Sequence, residues 1–429
     1  MRQPILPAMQ TLGSLHPHTL VLELPVFSRP MLEESLADGC NNEPARVYAH
    51  ELQHWFDIVG TLWGQRYLDL VFSAFDAVLA AETEDLAYPE VLRLFDADRE
   101  ILFPRYYKYV VPGAPHGAKK KWINRWSAGH RIRHDGTRDH GYPILFVRLE
   151  TDQGVFARQP LSIGALLELR AMAAEDGAFN TFLPTLGDGE RMVERAIRTR
   201  ALVQHLYDPL LTTYSAAAHV LSTSSGDRRV EPVFAWGAAL ADLCLNIEPS
   251  AVRKLKPPPR LVEFGHRIIH GFRSRADPGF LYACVIASLH DKRLLALDAG
   301  GLDTALNSVG MPGSGDLYRR AERSLVHRAM PTFRSDRLRV LRTALREAGV
   351  AILHAKSASA GLPSQISWHA LPSPMVMTDD AEQFHLGQII VGIEDTEWLH
   401  DCQCRLDTSL RQALRAGRGL DFGFTDFIY

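Results

Sequence analysis

The sequence predicts an α+β protein that is mostly helical, with a small β-sheet in its N-terminal half. Residues 19–27, Thr-Leu-Val-Leu-Glu-Leu-Pro-Val-Phe, are typical of a strand. Apolar residues recur at helical spacing around residues 42–62 and 160–179, and alanine-rich helical patterns dominate beyond residue 186. With 429 residues, of which 46% are hydrophobic, the chain is long enough for two or three domains.

The first long helix is predicted to follow the strand closely. Asn41 and Asn42 are good N-caps, and Pro44 suits a first helical turn, where its missing N–H costs nothing. Closely spaced apolar residues then continue the pattern to Leu62, so we expect a helix that is largely buried.

This helix carries the HExxH pattern as His50, Glu51 and His54. Positions i and i+4 lie on one face of a helix, so both imidazoles can approach a single Zn²⁺ to about 2 Å. Glu51 is then a candidate general base. Buried imidazole and carboxylate groups are costly unless they are paired or bind a metal. The alternative is that these histidines are hydrogen-bonded core residues.

A hydrolytic zinc site needs a third protein ligand and one open position for water. The metzincin pattern, with a histidine six residues after the second one, is excluded because Gly60 occupies that position. Asp57 follows too closely on the helix and is interpreted as a group that orients a ligand histidine. The better source is the helix predicted over residues 160–179, which Ser162 can cap and Gly177 can end.

Glu168 is the preferred third ligand because it lies within an apolar part of that second helix. A carboxylate flanked by leucines has little reason to be buried unless it meets a cation. Glu175, two turns further along, is the alternative ligand. Glu168 could instead pair with Arg170 at a helix surface.

Two segments resemble poorly characterised bacterial HExxH proteins. Residues 58–64, Ile-Val-Gly-Thr-Leu-Trp-Gly, extend the motif helix, and residues 164–171, Gly-Ala-Leu-Leu-Glu-Leu-Arg-Ala, match a later helix of those proteins. The resemblance implies a gluzincin-like zinc metallopeptidase. It also implies His50, His54 and Glu168 as ligands and Glu51 as base.

In that mechanism Zn²⁺ would polarise the scissile carbonyl and lower the pKa of its bound water toward ~7. The developing oxyanion needs a further donor, for which His140 and Tyr142 are the candidates, just before a strand predicted at residues 143–150. Residues 119–133 combine basic side chains with two tryptophans and could hold phosphate or an acidic substrate segment. A solvated basic loop is the alternative for this region.

Charge and composition indicate which classes of partner the protein can bind. The 47 basic and 50 acidic residues give a net charge of −3, which argues against a dedicated nucleic-acid-binding or membrane-surface protein. No apolar window of about 18 residues predicts a membrane span. We therefore expect a protein or peptide substrate and no membrane partner.

The expected location is the cytoplasm. The N-terminal 15 residues lack the apolar core of a secretory signal. Five scattered cysteines, an odd number, are typical of free thiols in a reducing compartment. Cys402 and Cys404 beside His400 form only a weak metal pattern, and so do the pairs His130/His134 and His266/His270.

Three segments are expected along the chain. Residues 1–185 would form a zincin-like domain, residues 186–256 a helical continuation, and residues 257–429 a helical C-terminal domain that binds substrate or a partner. The three prolines at 257–259 mark the last boundary, with helices after them at 261–272, 278–290 and 334–348. Residues 300–315 are rich in glycine and predict a loop.

The leading hypothesis is therefore a cytosolic zinc endopeptidase with a limited set of protein or peptide targets. One rival is a non-catalytic metal-binding protein, whose closed site would have four protein ligands. The other rival is a zinc hydrolase of a non-peptide amide, whose site would be a closed pocket rather than an open groove.

Overall fold

A computed structural model describes residues 12–37, 42–81, 83–117, 122–133, 136–289, 299–358, 371–390 and 395–416. The chain has the predicted α+β composition and is mostly helical, with two small sheets. Among the described residues, no helix has both the length and the hydrophobicity that crossing a bilayer requires.

The helices and strands are numbered in chain order. The helices are α1 (Arg29–Ala37), α2 (Asn42–Val59), α3 (Leu62–Ala80), α4 (Tyr88–Ile101), α5 (Phe103–Tyr106), α6 (Ile163–Phe182), α7 (Asp188–Leu206), α8 (Thr212–Ser225), α9 (Val230–Leu245), α10 (Pro249–Val252), α11 (Pro259–Val262), α12 (His266–Arg275), α13 (Pro278–Ser288), α14 (Ala299–Asn307), α15 (Ser314–His327), α16 (Asp336–Ala358) and α17 (Thr396–Ala416). The strands are β1 (Ser14–Leu15), β2 (Val21–Leu24), β3 (Tyr109–Val110), β4 (Ile123–Ile132), β5 (Arg138–Thr151), β6 (Gly154–Pro160), β7 (Met375–Thr378) and β8 (Gln383–His385).

The chain divides into two compact units, and the first contains residues 1–101, 322–355 and 366–429. Its sheet has the order β1-β2-β7-β8, and β2 pairs with β7 in parallel from Val21↔Met375 onward. The strand predicted within residues 19–27 is thus confirmed as β2. Helix α2 packs against β1, β2 and α3, while α17 covers α3 and α4.

The second unit contains residues 102–321 and 356–365. Its antiparallel sheet has the order β3-β6-β5-β4, and the chain enters α6 directly after β6. Helix α6 packs against α8 and α9, and α13 joins the same cluster. Most of the N-terminal half of α6 is buried, which fits its apolar sequence.

These units are not consecutive stretches of sequence. The boundaries expected near residues 185 and 256 would divide the chain into consecutive domains. The first unit instead consists of three separate segments, because β2 and β7 belong to one sheet. The prolines at 257–259 lie within the second unit, where the last of them begins α11. The roles expected for the three predicted segments stay predictions.

Several helix boundaries differ from the prediction. The motif helix ends at Val59 rather than at Leu62, because the Thr61 hydroxyl accepts a hydrogen bond from Gly64 N at 3.0 Å and caps α3. Gly177 lies within α6, which continues to Phe182. The packed residues on either side of a single glycine outweigh its helix cost of about 1 kcal/mol.

Two regions considered as loops are ordered. Residues 300–315 contribute to α14 and α15, because Leu302 and Leu306 are buried and stabilise the helix despite its glycines. The basic stretch considered as a solvated loop contains β4, which pairs along most of its length with β5. The strand predicted at residues 143–150 is confirmed and is longer, as β5. The lysines at 119–121 and His134 lie outside the described residues.

A buried ionic network stabilises the second unit around Asp242, a residue 3% exposed. Its Oδ1 accepts from Arg170 Nη2 at 2.8 Å and from Lys356 Nζ at 2.7 Å, and its Oδ2 accepts from the Tyr318 hydroxyl at 2.6 Å. Burial raises the pKa of Asp242, but the charges of Arg170 and Lys356 outweigh it and hold that pKa below its ordinary value of 3.8. The network's contribution is therefore present above pH 3.8 and is lost as the pH falls through the lowered folded-state value.

We expect Asp242→Asn to lower the free energy of unfolding by about 3–5 kcal/mol, because it removes the carboxylate charge that pairs with two buried cations. Urea unfolding followed by circular dichroism measures the loss. Asp316→Asn is the matched control, since Asp316 pairs with Arg319 at an exposed surface and should contribute less than about 1 kcal/mol. Equal losses in the two variants would contradict the structural importance of the network.

Candidate metal centre

Helix α2 positions the two histidines of the HExxH pattern. Trp55 and Val59 are fully buried on this helix, so packing fixes its rotation. His54 is 2% exposed and His50 is partly buried. Their ring centroids lie 5.1 Å apart with the planes at 81°, as expected for side chains one turn apart on one face.

Helix α6 positions Glu168. The helix begins after Ser162, as predicted, with the backbone of Ser162 extended, although its side chain makes no cap hydrogen bond. Glu168 is 2% exposed, and Leu166, Leu167 and Leu169 around it are buried. A carboxylate in such surroundings is stable only when it meets donors or a cation.

The three predicted ligands come together in the structure. His50, His54 and Glu168 each offer one ligand atom, and these atoms all lie within 4.8 Å of one another. In a tetrahedral zinc site with bonds of ~2 Å, neighbouring ligand atoms are about 3.3 Å apart, which is shorter than this 4.8 Å limit. Among the described residues, this is the one group of three or more histidine, cysteine or acidic side chains that could hold a metal ion.

Glu51 is also buried, at 7% exposure, and it follows His50 directly on α2. Gly13 is closely packed against it: a Cβ added at Gly13 would lie 3.0 Å from Glu51 Cγ, 2.8 Å from Val47 Cγ1 and 3.0 Å from Leu24 Cδ2. Because Gly13 has no side chain, it leaves space for the side chain of Glu51. The sequence contains no signal for this contact, because Gly13 lies far from the motif along the chain.

We expect Gly13→Ala to destabilise the protein by about 1–3 kcal/mol, since the added methyl group overpacks the wall beside Glu51. Thermal or urea unfolding measures this effect. Gly177→Ala serves as the control because nothing lies within 4 Å of a Cβ built there, inside α6. That control should be neutral or stabilise by up to about 1 kcal/mol. A neutral Gly13→Ala variant would show that the contact is not tight.

Asp57 was interpreted from the sequence as a group that orients a ligand histidine. It is fully buried, and its Oδ1 accepts from Gln53 Nε2 at 2.7 Å. Its backbone oxygen accepts from the Thr61 hydroxyl at 2.6 Å, which ties the end of α2 to the start of α3. Its orienting role stays a prediction.

The alternative ligand Glu175 lies elsewhere. Its Oε1 accepts from Arg198 Nη1 at 3.2 Å, and the neighbouring Asp176 accepts from the same guanidinium at 3.3 Å. Glu175 is not part of the group formed with the two histidines. Arg170, the surface partner considered for Glu168, is itself buried and binds Asp242. Of the two glutamates, the geometry therefore favours Glu168 as the third ligand.

The two residues predicted to stabilise an oxyanion lie on β5. Tyr142 is 5% exposed, and the guanidinium carbons of Arg131 and Arg275 lie 4.1 Å and 3.0 Å from its ring centroid. His140 is exposed, with its ring 5.1 Å from that of His130. Burial, and then the charge of His140, lower the pKa of His130. His140 does not belong to the group of three ligands, and the roles of both residues stay predictions.

The remaining histidine and cysteine patterns take other arrangements. His266 and His270 stack on α12 with centroids 6.3 Å apart. On α17 the Cys402 side chain is buried, while Cys404 Sγ lies 3.7 Å from His400 Nε2. Within the described ranges, none of these residues joins a group of three metal-ligating side chains.

Comparison with known proteins gives no identification. No model of a protein family, no curated protein and no solved structure matches the chain. The interpretation of the site therefore rests on its own side chains and on their geometry.

Proposed function

We propose that the protein is a zinc-dependent metallopeptidase of the gluzincin type. The supporting observation is that the two motif histidines of α2 and Glu168 of α6 offer ligand atoms within 4.8 Å of one another. The sequence motif and the spatial grouping are independent observations, and both favour a metal.

The donor set fits zinc. Two imidazoles and one carboxylate are the ligands of catalytic zinc in several peptidases, and three protein ligands leave one position for water or substrate. When bound, zinc supplies Lewis-acid polarisation of a carbonyl and makes a coordinated water acidic near neutral pH. His50, His54 and Glu168 would hold the ion.

Glu51 would act as the general base. It lies beside His50 on the same helix, and its buried carboxylate can accept a proton from the attacking water and pass it to the departing amine. His140 or Tyr142 would donate to the developing oxyanion. The substrates would be a limited set of proteins or peptides.

The arrangement around α2 supports a zincin-like architecture. The motif helix packs against β1 and β2 of a small sheet, whose other two strands, β7 and β8, come from the C-terminal part of the chain. The cysteines support the cytoplasmic location, because Cys244, Cys284, Cys402 and Cys404 are all free thiols. The C-terminal segment would bind the substrate protein or complete the active-site cleft.

A peptide-library digest tests the function. Zinc-loaded protein is incubated with proteome-derived peptides, and new termini are identified by mass spectrometry, with and without a chelator. We expect cleavage that the chelator abolishes and added zinc restores. Bound zinc without any cleavage would instead favour the non-catalytic metal-binding protein. Hydrolysis confined to small acyl amides would favour the non-peptide hydrolase.

A further inference from the structure

A second candidate binding site lies in the first unit, in a cleft between α3, α4 and the segment that follows α15. The cavity has a volume of about 450 Å³. Its charged lining consists of Arg66 and Asp69 from α3, Glu90 and Arg93 from α4, and Arg328. This volume is within the range of pockets that hold small molecules.

Asp69, which lines the cleft, forms a buried ion pair with Arg342. Asp69 Oδ1 accepts from Arg342 Nε at 3.0 Å and from Arg342 Nη2 at 2.6 Å, and Asp69 Oδ2 accepts from Arg328 Nη2 at 2.8 Å. Arg342 also donates to Gln65 Oε1 and to the Gln65 carbonyl, each at 2.9 Å. Both oxygens of Asp69 thus accept from guanidinium groups.

Positive charge exceeds negative charge at this place. Three arginines and two carboxylates line the cleft, and Arg342 adds a fourth guanidinium directly behind Asp69. Burial lowers the pKa of Arg342, Asp69 opposes that effect, and the like charges of Arg328 and Arg346 lower it further. The chain as a whole carries −3, so this local excess of positive charge is a property of the fold and not of the composition.

We propose that this cleft binds a small ligand through an oxyanion group, a phosphate or a carboxylate, that carries at least two negative charges. Arg66, Arg93 and Arg328 would bind it, because a guanidinium donates paired hydrogen bonds to phosphate and carboxylate oxygens. A concave wall concentrates the positive field and attracts such an anion. The Ser73 hydroxyl also lines the cleft and can donate to the same group. None of these residues belongs to the proposed metal centre.

Isothermal titration calorimetry with inorganic phosphate, and separately with succinate, at constant ionic strength tests the proposal. Arg93→Gln should weaken binding by about tenfold, because it removes a charged donor. Arg93 is largely exposed and pairs with Glu90 at 2.7 Å, so the variant should fold. Glu90→Gln removes a repelling carboxylate and should strengthen binding.

The control is Arg319→Gln, which removes an arginine from an exposed ion pair of the same i, i+3 spacing with Asp316, outside the cleft lining. It should bind the probes like the wild type. Tighter binding of phosphate would assign a phosphate-bearing ligand, and tighter binding of succinate a carboxylate-bearing one. Equal affinities in all variants, weaker binding in Glu90→Gln, or no binding of either anion would overturn the proposal.

Discussion

Replacing Glu51 by glutamine is expected to abolish peptide hydrolysis while zinc stays bound. Glutamine has nearly the same shape, but its amide cannot accept the proton of the attacking water. Loss of a general base typically lowers a rate by about 10²–10⁴-fold. The measurement is kcat/KM on a peptide from the library digest, together with the zinc content of the same sample.

Glu43→Gln is the matched control for this substitution. Glu43 lies in the first turn of the same helix and is exposed, so its amide variant should retain both activity and metal. Full activity in Glu51→Gln would rule out the general-base role. Loss of zinc in Glu51→Gln would show that Glu51 supports the metal ligands rather than the proton transfer.

Replacing Glu168 by alanine is expected to lower zinc affinity at least about tenfold, because it removes one of three ligands. The affinity is measured by competition with a chromophoric chelator. Circular dichroism of the metal-free variant then separates a lost ligand from a lost fold. The effect tests the contribution of α6 to the site, which the HExxH motif alone does not require.

Glu175→Ala is the control on the same helix. The Glu175 carboxylate binds Arg198 and lies outside the group of ligand atoms, so the substitution should leave zinc affinity unchanged. If Glu175→Ala lowers the affinity and Glu168→Ala does not, the third ligand is two turns further along α6 than we propose.

The parts of the fold that were predictable depend on local rules. Asn41, Asn42 and Pro44 predicted a helix that starts near residue 42, where α2 begins, and the placement of His50 and His54 on one face follows from helix geometry. The sequence indicated Glu168 as a ligand because leucines flank this single carboxylate. The structure confirms that the carboxylate is buried. The same pattern already favoured Glu168 over Glu175, but the contact between Glu175 and Arg198 of α7 has no local signal in the sequence.

The features that sequence analysis missed depend on contacts between distant segments. The parallel pairing of β2 with β7 joins residues near the two ends of the chain. Gly13 matters because Glu51 packs against it, and Asp242 matters because Lys356 and Arg170 reach it. The helix α14 forms in a glycine-rich stretch because its leucines are buried, although its local composition disfavours a helix.

Metal content is the most direct test of the proposed zinc centre. Purified wild-type protein and the His54→Ala variant are compared by elemental analysis, after circular dichroism has shown that both are folded. We expect about one zinc per chain in the wild type and its loss in the variant. No zinc in either protein, or equal zinc in both, would mean that His50, His54 and Glu168 do not form a metal site.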